Sequence, residues 1–102
     1  MAITEKRLGM GTLGTTEGTL YTSPAGTHAA VKGITITNKT AVDETFTIKF
    51  AGQEAVYQHT ILANDVITIP FWEQILEPGE TLQGQASEAS AINYIVSGKE
   101  RT

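Results

Sequence analysis

The chain has no cysteine, which removes disulfide staples, thiol nucleophiles and thiolate metal sites together. Its two histidines, His28 and His59, lack a second ligand at metal spacing in their own segments, so no metal and no cofactor is expected. The four serines, Ser23, Ser87, Ser90 and Ser97, sit in no nucleophile elbow. No stretch of 18 apolar residues exists, which excludes a membrane-spanning helix, and Lys6 and Arg7 precede a Gly/Thr-rich run where a signal peptide would need an apolar one. Positive charge is scarce too. Seven Lys and Arg against eleven Asp and Glu leave a net charge of -4, the wrong sign for gripping phosphate, so nucleic acid is not an expected partner. Nor is a membrane.

What the chain does have is threonine, sixteen residues of it, with 10 glycines. Both are poor interior helix formers, and threonine fits a half-solvated pleated face. Alternation is clearest at residues 45–50, where Phe46, Ile48 and Phe50 share one face and Thr45, Thr47 and Lys49 the other. The same period of two recurs at 34–37, 67–71 and 92–96. Turn chemistry separates these runs. Ser23-Pro24-Ala25-Gly26 reads as a type I turn and Glu77-Pro78-Gly79-Glu80 as type II. Strands are predicted near 19–22, 28–37, 45–51, 54–62, 66–71, 81–86 and 91–97, with 72–76 ambiguous and Pro70 marking an edge or a bulge. With 102 residues there is room for a single core. The expected fold is therefore all-β: an antiparallel β-sandwich, jelly-roll or immunoglobulin-like, of seven to eight strands in one domain spanning 1–102. Residues 1–16, where Leu8, Met10 and Leu13 are interrupted by Gly9, Gly11 and Gly14, read as a flexible or edge-adding arm, and 98–102 as a short polar tail.

Several motifs have an ordinary explanation. Gly9-Met10-Gly11-Thr12-Leu13-Gly14 matches the dinucleotide string G-x-G-x-x-G, but no buried strand precedes it and no helix can follow, so the match is taken as coincidence. His59, with Glu54, Tyr57 and Asp65 nearby in sequence, is read as structural rather than as a general base. Asp43-Glu44 and Glu77/Glu80 flank turns, where carboxylates stay hydrated and accept from free backbone N–H groups. Asn38-Lys39-Thr40 has the form of a glycosylation acceptor and is read as a polar turn. Trp72 stands apart. Strand alternation from Ile67, Ile69 and Phe71 turns its indole outward as an interface anchor, whereas a bulge at Pro70 would bury it, and both readings stay open.

The segment Leu20-Tyr21-Thr22-Ser23-Pro24-Ala25-Gly26-Thr27, running on to Val31-Lys32-Gly33-Ile34 and Asn38, resembles the opening of a group of small virion-associated proteins of tailed bacteriophages. Leu76-Glu77-Pro78-Gly79-Glu80-Thr81-Leu82, Ala86-Ser87 and Val96-Ser97-Gly98-Lys99-Glu100 are similar to its closing half, so the resemblance covers most of 17–100 in order. It implies a β-sandwich located in the virion, a capsid-decoration, neck or tail accessory protein that forms homo-oligomers or docks on other virion proteins, and not an enzyme. Pro70-Phe71-Trp72-Glu73-Gln74 is more aromatic than that pattern. Leu8, Met10, Leu13 and Trp72 are the interface candidates. The alternative function is a module binding surface carbohydrate or a host receptor through Trp72 and Tyr57.

Overall fold

The computed structural model describes residues 2–70 and 74–102. Among these described residues nine strands follow in order: β1 (Ile3–Thr12), β2 (Gly18–Thr22), β3 (His28–Asn38), β4 (Glu44–Phe50), β5 (Gln53–Ile61), β6 (Val66–Ile69), β7 (Gln74–Leu76), β8 (Thr81–Ala86) and β9 (Ile92–Arg101). They form two antiparallel sheets. The first runs β1-β9-β3-β6, with β7 pairing the other end of β3, and the second runs β2-β8-β4-β5. The pairings β4 with β5, β3 with β6, β2 with β8 and β1 with β9 are nested like a long hairpin rolled across two layers. That nesting is the strand order of a jelly roll, not of an immunoglobulin domain.

Between the layers lies one core. Ile34, Ile36, Ile92 and Val96 face inward from the first sheet and meet Phe46, Ile48 and Leu82 of the second, with Ile61 and Leu76 closing the sides. The alternation read from residues 45–50 is the reason β4 holds the centre. Phe46 and Ile48 are buried, while Thr45 and Lys49 stay partly solvated. Gly84 of β8 makes room for the ends of Leu13, Leu20 and Ile48, each of which a Cβ there would approach to 3.0–3.1 Å.

Of the two readings of the N-terminal arm, the edge-adding one holds, on this chain's own sheet, whereas the polar tail differs from expectation. Residues 3–12 form an edge strand on this chain's own β9, and Leu13 turns the chain between layers, its N–H on the Ile92 carbonyl while Gly14 accepts from Ala86. The glycines there serve close approach rather than flexibility. A Cβ on Gly9 would lie 2.8 Å from the Leu20 carbonyl oxygen, and one on Gly11 would press on the Tyr94 ring. The polar tail likewise continues β9 to Arg101, because β1 and β3 flank it and satisfy its backbone on both sides.

Turns explain the register. Glu80 donates to the Glu77 carbonyl with Gly79 at φ 87°, the expected type II turn. The earlier turn is shifted by one residue from its predicted frame. Thr27 donates to Pro24, which puts Gly26, at φ 73°, in the third position of a type II turn over 24–27. At the β4–β5 hairpin, Ala51 and Gly52 both have positive φ, the geometry of a type I′ turn. Alanine is strained there. Ala51→Asn is expected to raise the unfolding free energy by about 0.5–1 kcal/mol in urea titration, since asparagine tolerates that conformation. An unchanged midpoint would show that Ala51 carries no strain.

Candidate interaction face

Strand alternation decides which side chains the first sheet presents outward, and cross-strand pairing collects them into rows. Ile3, Arg101 and His28 form the first row, then Glu5, Lys99, Ala30 and Ile75. Arg7, Ser97 and Gly33 follow. Met10, Ile95, Thr35 and Thr68 come next, and Thr12, Asn93, Thr37 and Val66 close the face. Of the eight large hydrophobic residues exposed among those described, Ile3, Met10, Val66, Ile75 and Ile95 lie on this one face. The outer face of the second sheet offers Thr45, Lys49, Thr81, Gln83 and Gln85 instead, with Thr47 buried beneath its neighbours.

Charge divides the same way. The strands of the first sheet carry Lys6, Arg7, Lys32, Lys99 and Arg101 against Glu5 and Glu100, a net of +3. The remaining residues carry two Lys against nine acids, a net of -7. The overall -4 thus conceals a polarity that bulk composition could not show.

At the end of the face nearest the termini the surface is concave, with a hollow of about 430 Å³. Ala30 forms part of its floor and Ile3 and Ile75 its apolar walls, while Lys99 and Arg101 line it without an acidic partner among the described residues. Glu77 also reaches it, but is engaged by His28 at 2.9 Å.

The opposite end is closed by the β3–β4 and β5–β6 loops, tied together by Asn38. Its side-chain amide donates to the carbonyls of Val42, Ile61 and Leu62 at 2.9–3.2 Å, and its oxygen accepts from the Thr40 N–H and hydroxyl. Asp43 accepts from the Ala63 N–H and Asp65 from the Val66 N–H. This bundle presents Val42, Leu62 and Val66 to solvent with Asp43, Asp65 and Lys39 among them. Asn38 itself is buried and its nitrogen fully occupied, which leaves no acceptor for a glycan.

Of the sequence candidates, Met10 does lie exposed on the face, whereas Leu8 and Leu13 are core residues and not interface anchors. Leu8 is the extra residue of a bulge and drops inward, and Leu13 fills the end of the core. Trp72 lies outside the described residues. Tyr57 is exposed on β5, away from the face, and the His59 ring stands edge-on to Phe46 with centroids 5.7 Å apart. Among the described residues no three His, Cys, Asp or Glu cluster as a metal site, and Gly9, Gly11 and Gly14 lead into β2 with no helix between. Glu44 corrects one expectation. It is buried, accepting a hydrogen bond from Ser87, rather than hydrated at a turn. Ile3, Ile75, Ile95, Lys99 and Arg101 were missed, since only strand pairing shows that residues so distant in sequence share a face.

No protein-family model matches the chain, and no curated protein matches it. Its own geometry therefore carries the functional argument.

One polar link ties the layers on this side. Tyr21 of β2 donates its hydroxyl to Glu100 of β9, which also faces Lys6 of β1 at 3.6 Å. Burial, then the bond to Glu100, holds the Tyr21 proton well above the ordinary phenol range. The folded chain thus binds that proton more tightly than the unfolded chain. Its contribution to stability is complete below about pH 10 and is lost as pH rises toward the folded value. Tyr21→Phe is expected to flatten this alkaline decline in denaturation midpoints measured between pH 9 and 12. An equal decline in both proteins would assign it to other groups.

Proposed function

We propose that this protein is a structural component of a tailed-bacteriophage virion, a non-enzymatic jelly-roll building block that joins the particle through the outer face of its first sheet. The gathering of five exposed apolar side chains on one face, whose outward charges are Arg7, Lys99 and Arg101 against Glu5, supports this reading most directly. Scattered apolar residues need no explanation, whereas an apolar collection rimmed by charge is the composition of a docking surface. The turn and strand motifs that resemble virion-associated proteins supply the setting. A carbohydrate-binding role has less behind it, because Tyr57 stands away from that face and sugar platforms recruit several aromatics.

Quantitative mass spectrometry of purified particles tests the proposal. The chain is expected as a multi-copy component, and incorporation of a Met10→Glu/Ile95→Lys variant should fall by more than tenfold. Absence of the wild-type chain from particles overturns it.

A further inference from the structure

We infer that copies of this chain associate head to tail, the acidic tip around Val42 and Leu62 of one copy seating in the basic hollow between Ile3 and Ile75 of the next. The inference rests on the assembly role proposed above and names its partner: a second copy.

Two observations made independently select this pairing. The hollow combines apolar walls with Lys99 and Arg101, cations without an acidic partner among the described residues, against the Glu77 carboxylate that His28 engages. The tip combines exposed Val42 and Leu62, 60% and 57% accessible, with the carboxylates of Asp43 and Asp65 against one exposed cation, Lys39. Each end supplies what the other lacks in charge and matches it in apolar character. The same ends are unsuited to pairing with themselves. Hollow against hollow would gather Lys99 and Arg101 of both copies with only the His28-engaged Glu77 carboxylates to offset them, and tip against tip would gather Asp43 and Asp65 of both copies with only Lys39 to offset them, an excess of like charge that costs free energy once water is expelled. A like-with-like two-fold contact is therefore disfavoured relative to a heterologous one.

Position turns this complementarity into a direction of growth. The hollow lies at the row containing Ile3 and Arg101, and the tip beyond the row containing Val66, so the two surfaces occupy opposite ends of a molecule 46 Å long and 21 by 18 Å across. Such a subunit satisfies one surface and exposes the other at every addition. The product is a ring if the rotation between copies closes and a filament if it does not. The tip is also prepared for contact. Asn38 binds the Val42 and Leu62 carbonyls through one nitrogen, so the backbone at both residues is held by a buried group, and little loop entropy remains to be lost on docking.

Light scattering after size exclusion, with circular dichroism to confirm folding, tests this with two charge-reversed variants: Asp43→Lys/Asp65→Lys at the tip and Lys99→Glu/Arg101→Glu in the hollow. Wild type is expected to gain mass with concentration up to about 1 mM. Each variant alone should remain monomeric at ten times the wild-type threshold, and an equimolar mixture should recover assembly, because every junction in it is again of opposite charge. A second pair, Leu62→Ser and Ile75→Ser, should weaken assembly without altering charge. A monomeric wild type, variants that assemble like wild type, or a mixture that stays monomeric each overturns head-to-tail association. A chain that is monomeric alone yet abundant in particles would overturn only this inference, whereas its absence from particles would overturn the proposed function.

Discussion

Gly98→Ala is expected to lower stability by about 3–5 kcal/mol, a large part of the roughly 5–15 kcal/mol available to a domain of this size. The residue lies on β9 opposite Lys6 of β1 and Val31 of β3, and both neighbouring strands shift register beside it, β1 between Arg7 and Gly9 and β3 between Val31 and Gly33. The paired bulges draw the flanking backbones in over Gly98. A Cβ added there would lie 2.1 Å from the Ala30 carbonyl oxygen and 2.8 Å from the end of Leu8. Leu8 can rotate. The carbonyl cannot, since it belongs to a central strand paired on both sides, so β3 would have to retreat by about an ångström and disturb Val31 and Ile34 in the core. Thermal unfolding should register a fall of at least about 15 °C. Gly18→Ala is the control, with nothing within 4 Å of its added Cβ, and should change stability by no more than about 0.5 kcal/mol. A Gly98→Ala protein within 1 kcal/mol of wild type would show that the two bulges do not close on that residue.

The same residue shows where sequence reasoning stops. Gly98 reads as the start of a polar tail, because a glycine among Ser97, Lys99 and Glu100 has no apolar alternation around it. Its role is visible only through Ala30 and Leu8, each more than sixty positions away in the chain. β1 was hidden for a related reason. As an edge strand at the open end of the sandwich, it turns Thr4 and Lys6 inward where solvent still reaches, so Ile3–Thr12 lacks the period of two that exposes β4. Interior strands were legible because burial on one face imposes a pattern on the residues themselves. The candidate face was legible only at Met10. Its other members are single outward positions on strands whose inward positions dominate the signal, and the first loop of the tip, from Asn38 to Thr40, reads merely as a polar turn.

Asn38 is the second residue whose loss should be severe, with Asn38→Leu expected to cost about 3–4 kcal/mol. The two N–H donors of one buried amide nitrogen are shared among the carbonyls of Val42, Ile61 and Leu62, and the oxygen opposite it holds Thr40. Leucine keeps the volume and removes donors and acceptor together. The Leu62 carbonyl keeps the Asp65 N–H and the Val42 carbonyl the Thr40 hydroxyl, so the loss falls on the Ile61 carbonyl and the Thr40 N–H, at about 1–3 kcal/mol for each polar group left buried without a partner. Asn38→Asp should be worse near neutral pH. A carboxylate would face three carbonyl oxygens with no proton to offer, and the chain would have to take one up to fold, so this variant should regain stability as pH falls toward 4 while Asn38→Leu does not. Chemical denaturation at pH 7 and pH 4.5 separates the two. The residue also links fold to assembly: because the Val42 and Leu62 backbones hang on its nitrogen, a milder Asn38→Ser protein, still folded, should need a higher concentration to associate than wild type. Equal association by that variant would mean the tip keeps its shape without Asn38, and that its order comes instead from the Asp43 bond to Ala63 and the Asn64 bond to Thr40.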